Sequence, residues 1–147
     1  MAQNESTRYI PKPGGADTPK PPGRTAVLVA DDEPAIRDLL VTVLSDLGIG
    51  RIDSASNGME ARELCRLNEY DIIFLDVSMP VLSGIDAYHD IREARPDARI
   101  VFITGLYKDD ELMEKLGGVQ ACDYLRKPFN ITEIRSIVAR MVGPETI

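Results

Sequence analysis

Thiols and imidazoles are nearly missing from this chain. It carries one histidine and two cysteines, Cys65 and Cys122, at no metal-ligand spacing, so a zinc site is hard to assemble. The two thiols are expected to be buried and reduced. No apolar run approaches the roughly 18 to 20 residues of a membrane span, and the N-terminus lacks the apolar segment of a signal peptide. A cytoplasmic protein is expected. Basic surface is scarce as well. The net charge is −7, and residues 1–24 hold four basic and two acidic groups, which leaves −9 on the remainder. Such a surface repels phosphate backbones, so direct nucleic-acid binding is not expected, whereas binding of cations or basic partner surfaces is compatible with it.

What is present divides into two parts. Residues 1–24 contain Pro11, Pro13, Pro19, Pro21 and Pro22 with Gly14, Gly15 and Gly23, and almost no bulky apolar side chains. They read as a flexible, solvated arm. From Thr25 to the C-terminus, residues 25–147, the length suits one domain with a real core.

Short apolar runs alternate with amphipathic stretches along this domain. AVLVA at 26–30 reads as a strand, and Ile36, Leu39, Leu40, Val43, Leu44 and Leu47 follow helical spacing after Pro34. RIDSAS at 51–56 reads as a half-buried strand, and Asn57 with Glu60 fits a capping box that opens a helix over 57–68. DIIFLD at 71–76 is apolar between its ends, as a strand covered on both faces must be. A helix at 83–94, a strand at 99–104, a short helix at 109–116, a strand at 121–127 and a closing helix at 130–142 complete five βα units. Short links between alternating strands and helices imply a doubly wound parallel α/β sheet with helices on both faces. Ligands of such sheets bind outside the carboxyl ends of the strands.

The residues at those ends are Asp31 and Asp32 after the first strand, Asp76 after the third, Thr104 after the fourth and Lys127 after the fifth. Clustered carboxylates suit a hard divalent cation such as Mg²⁺, which takes oxygen ligands. A hydroxyl and an ammonium on the same rim suit an anionic oxygen near that metal. Acids also cap helix N-termini, but capping gives no reason for a Thr and a Lys to end two further strands on one rim. The set describes a phosphoryl site.

These residues resemble the receiver domain of a two-component response regulator of the CheY-like kind. The motifs are DDEP at 31–34, DVSMP at 76–80 followed by Gly84, IT ending at Thr104 and YLRKPF at 124–129, in order on the expected strand ends. The resemblance covers nearly all of 25–142. It implies a flavodoxin-like five-stranded sheet of order 2-1-3-4-5. It further implies that Asp76 is the phosphoacceptor for a histidine kinase or histidine phosphotransfer protein. Asp32, Asp76 and the backbone carbonyl of Ser78 are then the direct Mg²⁺ ligands, with Asp31 acting largely through water. Lys127 is implied to pair with the phosphoryl group, Thr104 to donate its hydroxyl to it, and Tyr124 to act with Thr104 as the switch that alters binding of a downstream protein. The Lys127–Pro128 bond is implied to be cis.

Glu33 and Pro34 are expected only to open the first helix, and His89 to be a surface residue. The chain ends about five residues after the last expected helix, so a single-domain regulator or phosphorelay intermediate is expected, not an enzyme beyond its own phosphorylation and dephosphorylation. A non-phosphorylated interaction module on the same fold is the alternative. GGVQACDY at 117–124 is longer than the family's link, so elevated mobility is expected over 105–120, with partner choice affected.

Overall fold

The structure is a computed structural model and describes residues 20–105, Glu114 and residues 123–143. Apart from Glu114, the helix expected at 109–116 lies outside the described residues, as do Cys122 and most of the segment expected to be mobile. The apolar runs form β1 (Ala26–Ala30), β2 (Arg51–Ala55), β3 (Ile72–Asp76), β4 (Arg99–Thr104) and β5 (Asp123–Arg126). The amphipathic stretches among the described residues form α1 (Pro34–Asp46), α2 (Gly58–Leu67), α3 (Gly84–Ala94) and α4 (Ile131–Ala139). Every strand pairing is parallel, and the order across the sheet is β2-β1-β3-β4-β5. This is the doubly wound 2-1-3-4-5 arrangement. The chain moves outward in one direction from β1 to β2 and in the other from β1 to β3, which makes the β1/β3 crevice the point where strand order reverses.

Period-two alternation along the strands builds two cores, one on each face. Val27 and Val29 of β1, Ile72 and Phe74 of β3, and Val101 and Ile103 of β4 pack with Leu40, Val43 and Leu44 of α1 and Ile134, Ile137 and Val138 of α4. The intervening residues Leu28, Ile73, Leu75, Ile100 and Phe102 pack with Ala61 and Cys65 of α2 and Ala87, Tyr88 and Ile91 of α3. Strand β3 is buried along its whole length. Full burial of each large apolar side chain contributes about 1.5–3 kcal/mol, so this uninterrupted run anchors the strand whose last residue is Asp76.

Local signals start the helices. The Asn130 side chain accepts a hydrogen bond from the Glu133 amide while the Glu133 carboxylate accepts one from the Asn130 amide, a complete capping box on α4. At α2 the expected box is displaced by one residue. Asn57 accepts from the Glu60 amide at 2.8 Å, but the Glu60 carboxylate reaches the Ser56 amide, at 2.6 Å. Ser83 caps α3 through the Asp86 amide at 3.1 Å. Helix α1 has Pro34 in its first turn and no side-chain cap.

Packed structure begins a few residues ahead of Thr25. Pro22–Arg24 form a 3₁₀ turn; the Gly50 amide donates to the Pro22 carbonyl at 2.9 Å and the Gly143 amide to the Lys20 carbonyl at 2.7 Å. Glycine permits the first of these approaches, since a Cβ on residue 50 would lie 2.1 Å from the Gly23 carbonyl oxygen. Lys20 also pairs with Asp71, just before β3, at 3.0 Å.

Candidate functional site

The β1/β3 register places Ala30 opposite Leu75, so Asp31 and Asp76 follow side by side where the two strands leave the sheet. Asp31 is fully buried, Asp76 is 3% exposed, and Asp32 faces solvent. One oxygen from each of the three carboxylates falls within 4.8 Å of the others.

The two buried carboxylates are held in the same way. Asp31 Oδ1 accepts from the Glu33 amide at 2.8 Å, and Asp76 Oδ1 accepts from the Ser78 amide at 3.0 Å, two residues ahead in each case. These Asx turns fix the side chains and aim the second oxygens, Oδ2, toward a common point. Lys127 Nζ stands there, 3.2 Å from Asp31 Oδ2 and 3.3 Å from Asp76 Oδ2. Lys127 lies just past β5, where its amide donates to the Thr104 carbonyl at 2.7 Å and its bond to Pro128 is cis.

Burial is the largest influence on Asp76 and pushes its pKa up to about 7; the Asp31 charge adds to this, while the Ser78 amide and the Lys127 charge oppose it. Burial acts on Lys127 in the opposite sense, disfavouring its charged form. The hydrogen bond to Glu33 and the charges of Asp76 and Asp31 outweigh that penalty, so its pKa is raised and it stays an ammonium.

Two observations bear on a cation here. The carboxylates of Asp31, Asp32 and Asp76 converge with one ammonium beside two of them, and Asp31 Oδ2 is buried with no hydrogen-bond donor, because the ammonium 3.2 Å away is at ion-pair distance without hydrogen-bond geometry. An unsatisfied buried carboxylate oxygen is costly, and a hard cation with oxygen ligands relieves both the orphaned atom and the mutual repulsion. The donor set fits Mg²⁺.

Thr104 ends β4 and is buried; its neighbour Ile103 pairs with Asp76 across the β3/β4 ladder. Tyr124 is half-buried on β5 with its ring stacked on Phe102, centroids 6.2 Å apart, and Phe102 in turn meets Tyr88 at 5.4 Å. The sequence-selected residues Asp31, Asp32, Asp76 and Lys127 therefore meet, and Thr104 and Tyr124 line the strands beside them. His89 is exposed against the edge of the Tyr88 ring, away from the cluster. Cys65 is a buried free thiol whose pKa burial pushes up to about 12, which suits packing and not reactivity.

Sequence reasoning missed Glu33. Expected only to open α1, it also sets its carboxylate against Lys127 Nζ. Gly84 has a steric role that the residues alone do not disclose. A Cβ there would stand 1.9 Å from the Asp76 carbonyl oxygen, so glycine lets the start of α3 press against the backbone that carries Asp76.

The fold and site define an open doubly wound α/β domain with an acidic, lysine-closed rim at its switch point. The response regulator receiver domain profile matches residues 27–139, and the chain belongs to that family of two-component signalling domains. The Mycobacterium tuberculosis transcriptional regulatory protein PdtaR is 39% identical over 108 residues, which cover 74% of this chain and 52% of PdtaR. The chain spans about half the length of the first curated relatives it matches. Among solved structures, the receiver domain of the Pseudomonas aeruginosa sensor histidine kinase PA1611, with a magnesium ion coordinated in its active site cleft, is 28% identical. It has a TM-score of 0.69, covering 82% of this chain and 98% of that one. A Burkholderia pseudomallei response regulator with a phosphorylated aspartic acid, a calcium ion and citrate is also 28% identical, with a TM-score of 0.68 over 80% of this chain and 66% of its own. Among the described residues, no helix is long and apolar enough to cross a membrane.

Proposed function

We propose that this domain is a phosphorylation switch in which Asp76 accepts a phosphoryl group from a phosphohistidine. The observation that carries this is a buried carboxylate at the end of β3, oriented by the Ser78 amide, with its other oxygen 3.3 Å from a lysine ammonium. The phosphorylated aspartate and the coordinated magnesium of the two solved relatives support the same reading.

In the reaction, an Asp76 oxygen attacks phosphorus as the bond from phosphorus to the histidine nitrogen breaks, and the imidazole leaves. Asp32, Asp76 and the backbone carbonyl of Ser78, with Asp31 largely through water, would hold Mg²⁺, which when bound would supply positive charge against the negative charge that develops on the phosphoryl oxygens. Lys127 pairs with one phosphoryl oxygen, and Thr104 donates its hydroxyl to another. Water later attacks phosphorus, the acyl phosphate bond breaks, and Asp76 returns as a carboxylate. The domain turns over nothing but its own phosphoryl group.

Signal leaves through a two-state element. Thr104 moves toward the phosphoryl group and the Tyr124 ring leaves its present stack on Phe102 to fill the vacated space. The rearranged surface changes affinity for a downstream protein. The donor is a histidine kinase or histidine phosphotransfer protein, and the setting is cytoplasmic. Addition of beryllofluoride and Mg²⁺ should shift the amide resonances of Asp76, Thr104 and Tyr124. Absence of any shift in the wild-type domain, or an unchanged response in Asp76→Asn, refutes the switch.

A further inference from the structure

Glu33 is an acid on the rim that takes no part in the phosphoryl chemistry itself. We propose that its carboxylate is a tethered competitor that occupies the Lys127 ammonium until an anionic phosphoryl group displaces it, and so sets how readily the site accepts that group. This rests on the phosphoacceptor reading of Asp76.

Three acids surround Lys127 Nζ, and they differ in freedom. Asp31 and Asp76 are buried and locked by the amides of Glu33 and Ser78, whereas the Glu33 side chain is 58% exposed and reaches the ammonium from the solvent side. The ammonium donates hydrogen bonds to Glu33 and Asp76, while the buried Asp31 Oδ2 beside it receives none. Asp31 Oδ2 still lies at ion-pair distance, 3.2 Å, so the one ammonium is divided among three acids, of which only Glu33 faces solvent. A phosphoryl group on Asp76 brings its own anionic oxygens to the same ammonium. Glu33 must then withdraw, because two anions compete for one cation and repel each other. Its exposure and long side chain let it swing into water at small cost, which neither buried aspartate can do. Glu33 is therefore a positioning residue acting through Lys127.

The test is the affinity of the full-length protein for beryllofluoride at saturating Mg²⁺, measured for wild type, Glu33→Gln and Glu33→Ala. Loss of a solvent-exposed ion pair competing with the ligand should tighten binding by about two- to fivefold in both variants. The advantage over wild type should shrink as salt rises from low to molar concentration, because screening already weakens the competing pair in the wild type. A purely structural role does not produce this salt-dependent difference. Unchanged or weaker binding in both variants, alongside a normal wild-type response, overturns the competitor role alone. Failure of the wild type to bind beryllofluoride overturns the phosphoacceptor reading and the competitor role together.

Discussion

Replacing Asp76 by asparagine should stabilise the domain in the absence of divalent cations, although it removes one partner of an ion pair. In the folded state the pKa of Asp76 stands at about 7 against an ordinary value of 3.8. The folded protein therefore holds a proton on this carboxyl over a range in which the unfolded chain has released it. Its contribution to stability is fully present below about pH 4 and is lost as the pH rises through about 7. At about 1.4 kcal/mol per pH unit, the ceiling on that loss is roughly 4 kcal/mol. Solvent screening beside the exposed Asp32 should reduce it to about 2 kcal/mol. Asparagine keeps the shape and never ionises, and Lys127 retains Asp31 and Glu33 as partners. Thermal melts in EDTA at pH 8 should place Asp76→Asn about 6–8 °C above wild type, at roughly 3–4 °C per kcal/mol for a domain of this size. The gap should close toward pH 4, where wild-type Asp76 is protonated. Millimolar Mg²⁺ at pH 8 should narrow it from the other side, since a cation bound only by the folded site stabilises the wild type. A variant less stable than wild type at pH 8 in EDTA, or a gap independent of pH between 4 and 8, refutes the reasoning.

Two glycines near the site should respond very differently to alanine. Gly84→Ala forces a Cβ to within 1.9 Å of the Asp76 carbonyl oxygen and should cost about 2–4 kcal/mol in denaturant unfolding, with weakened beryllofluoride binding. At Gly105 the nearest atom to a new Cβ is Lys127 Cβ at 3.6 Å, an ordinary contact, and stability should change by less than about 0.5 kcal/mol. Val81, 74% exposed, adopts φ +69°, a left-handed conformation that a β-branched side chain resists. Val81→Asn should stabilise by about 1 kcal/mol and raise the melting temperature by roughly 3–4 °C; no gain in a melt would show that the turn holds no such strain.

What the residues disclosed follows from where their effects act. Strand β3 was legible because its buried positions Ile72–Leu75 need an unbroken apolar run, and the rim because its members stand at or just past the ends of strands. The strand order was another matter. Periodicity and short links lead to a parallel sheet with two helical layers, but the placement of β2 outside β1 came from the family resemblance and not from spacing. Edge contacts were the least legible. Nothing local distinguishes Glu60 binding the Asn57 amide from Glu60 binding the Ser56 amide, since both lie one side-chain length away. Glu33 meets Lys127 across 94 positions. Its immediate context, an acid before a proline, carries only the signal of a helix start. Gly84 likewise has no visible reason in sequence, because the atom it makes room for belongs to the preceding strand's backbone.

The contact between Lys20 and Gly143 has a consequence for how this domain is joined to other things. A backbone hydrogen bond of 2.7 Å connects Lys20, ahead of β1, to Gly143, beyond α4, at the edge of the sheet where β1 and β3 begin. Five residues of β1 separate that edge from Asp31, about 17 Å at strand rise. Lys20 and Gly143 therefore stand together at the end of the sheet away from the acidic rim. The same proximity makes Lys20 and Gly143 good points to join in a circular permutant, since a short bridge between them follows a contact that the fold has already made.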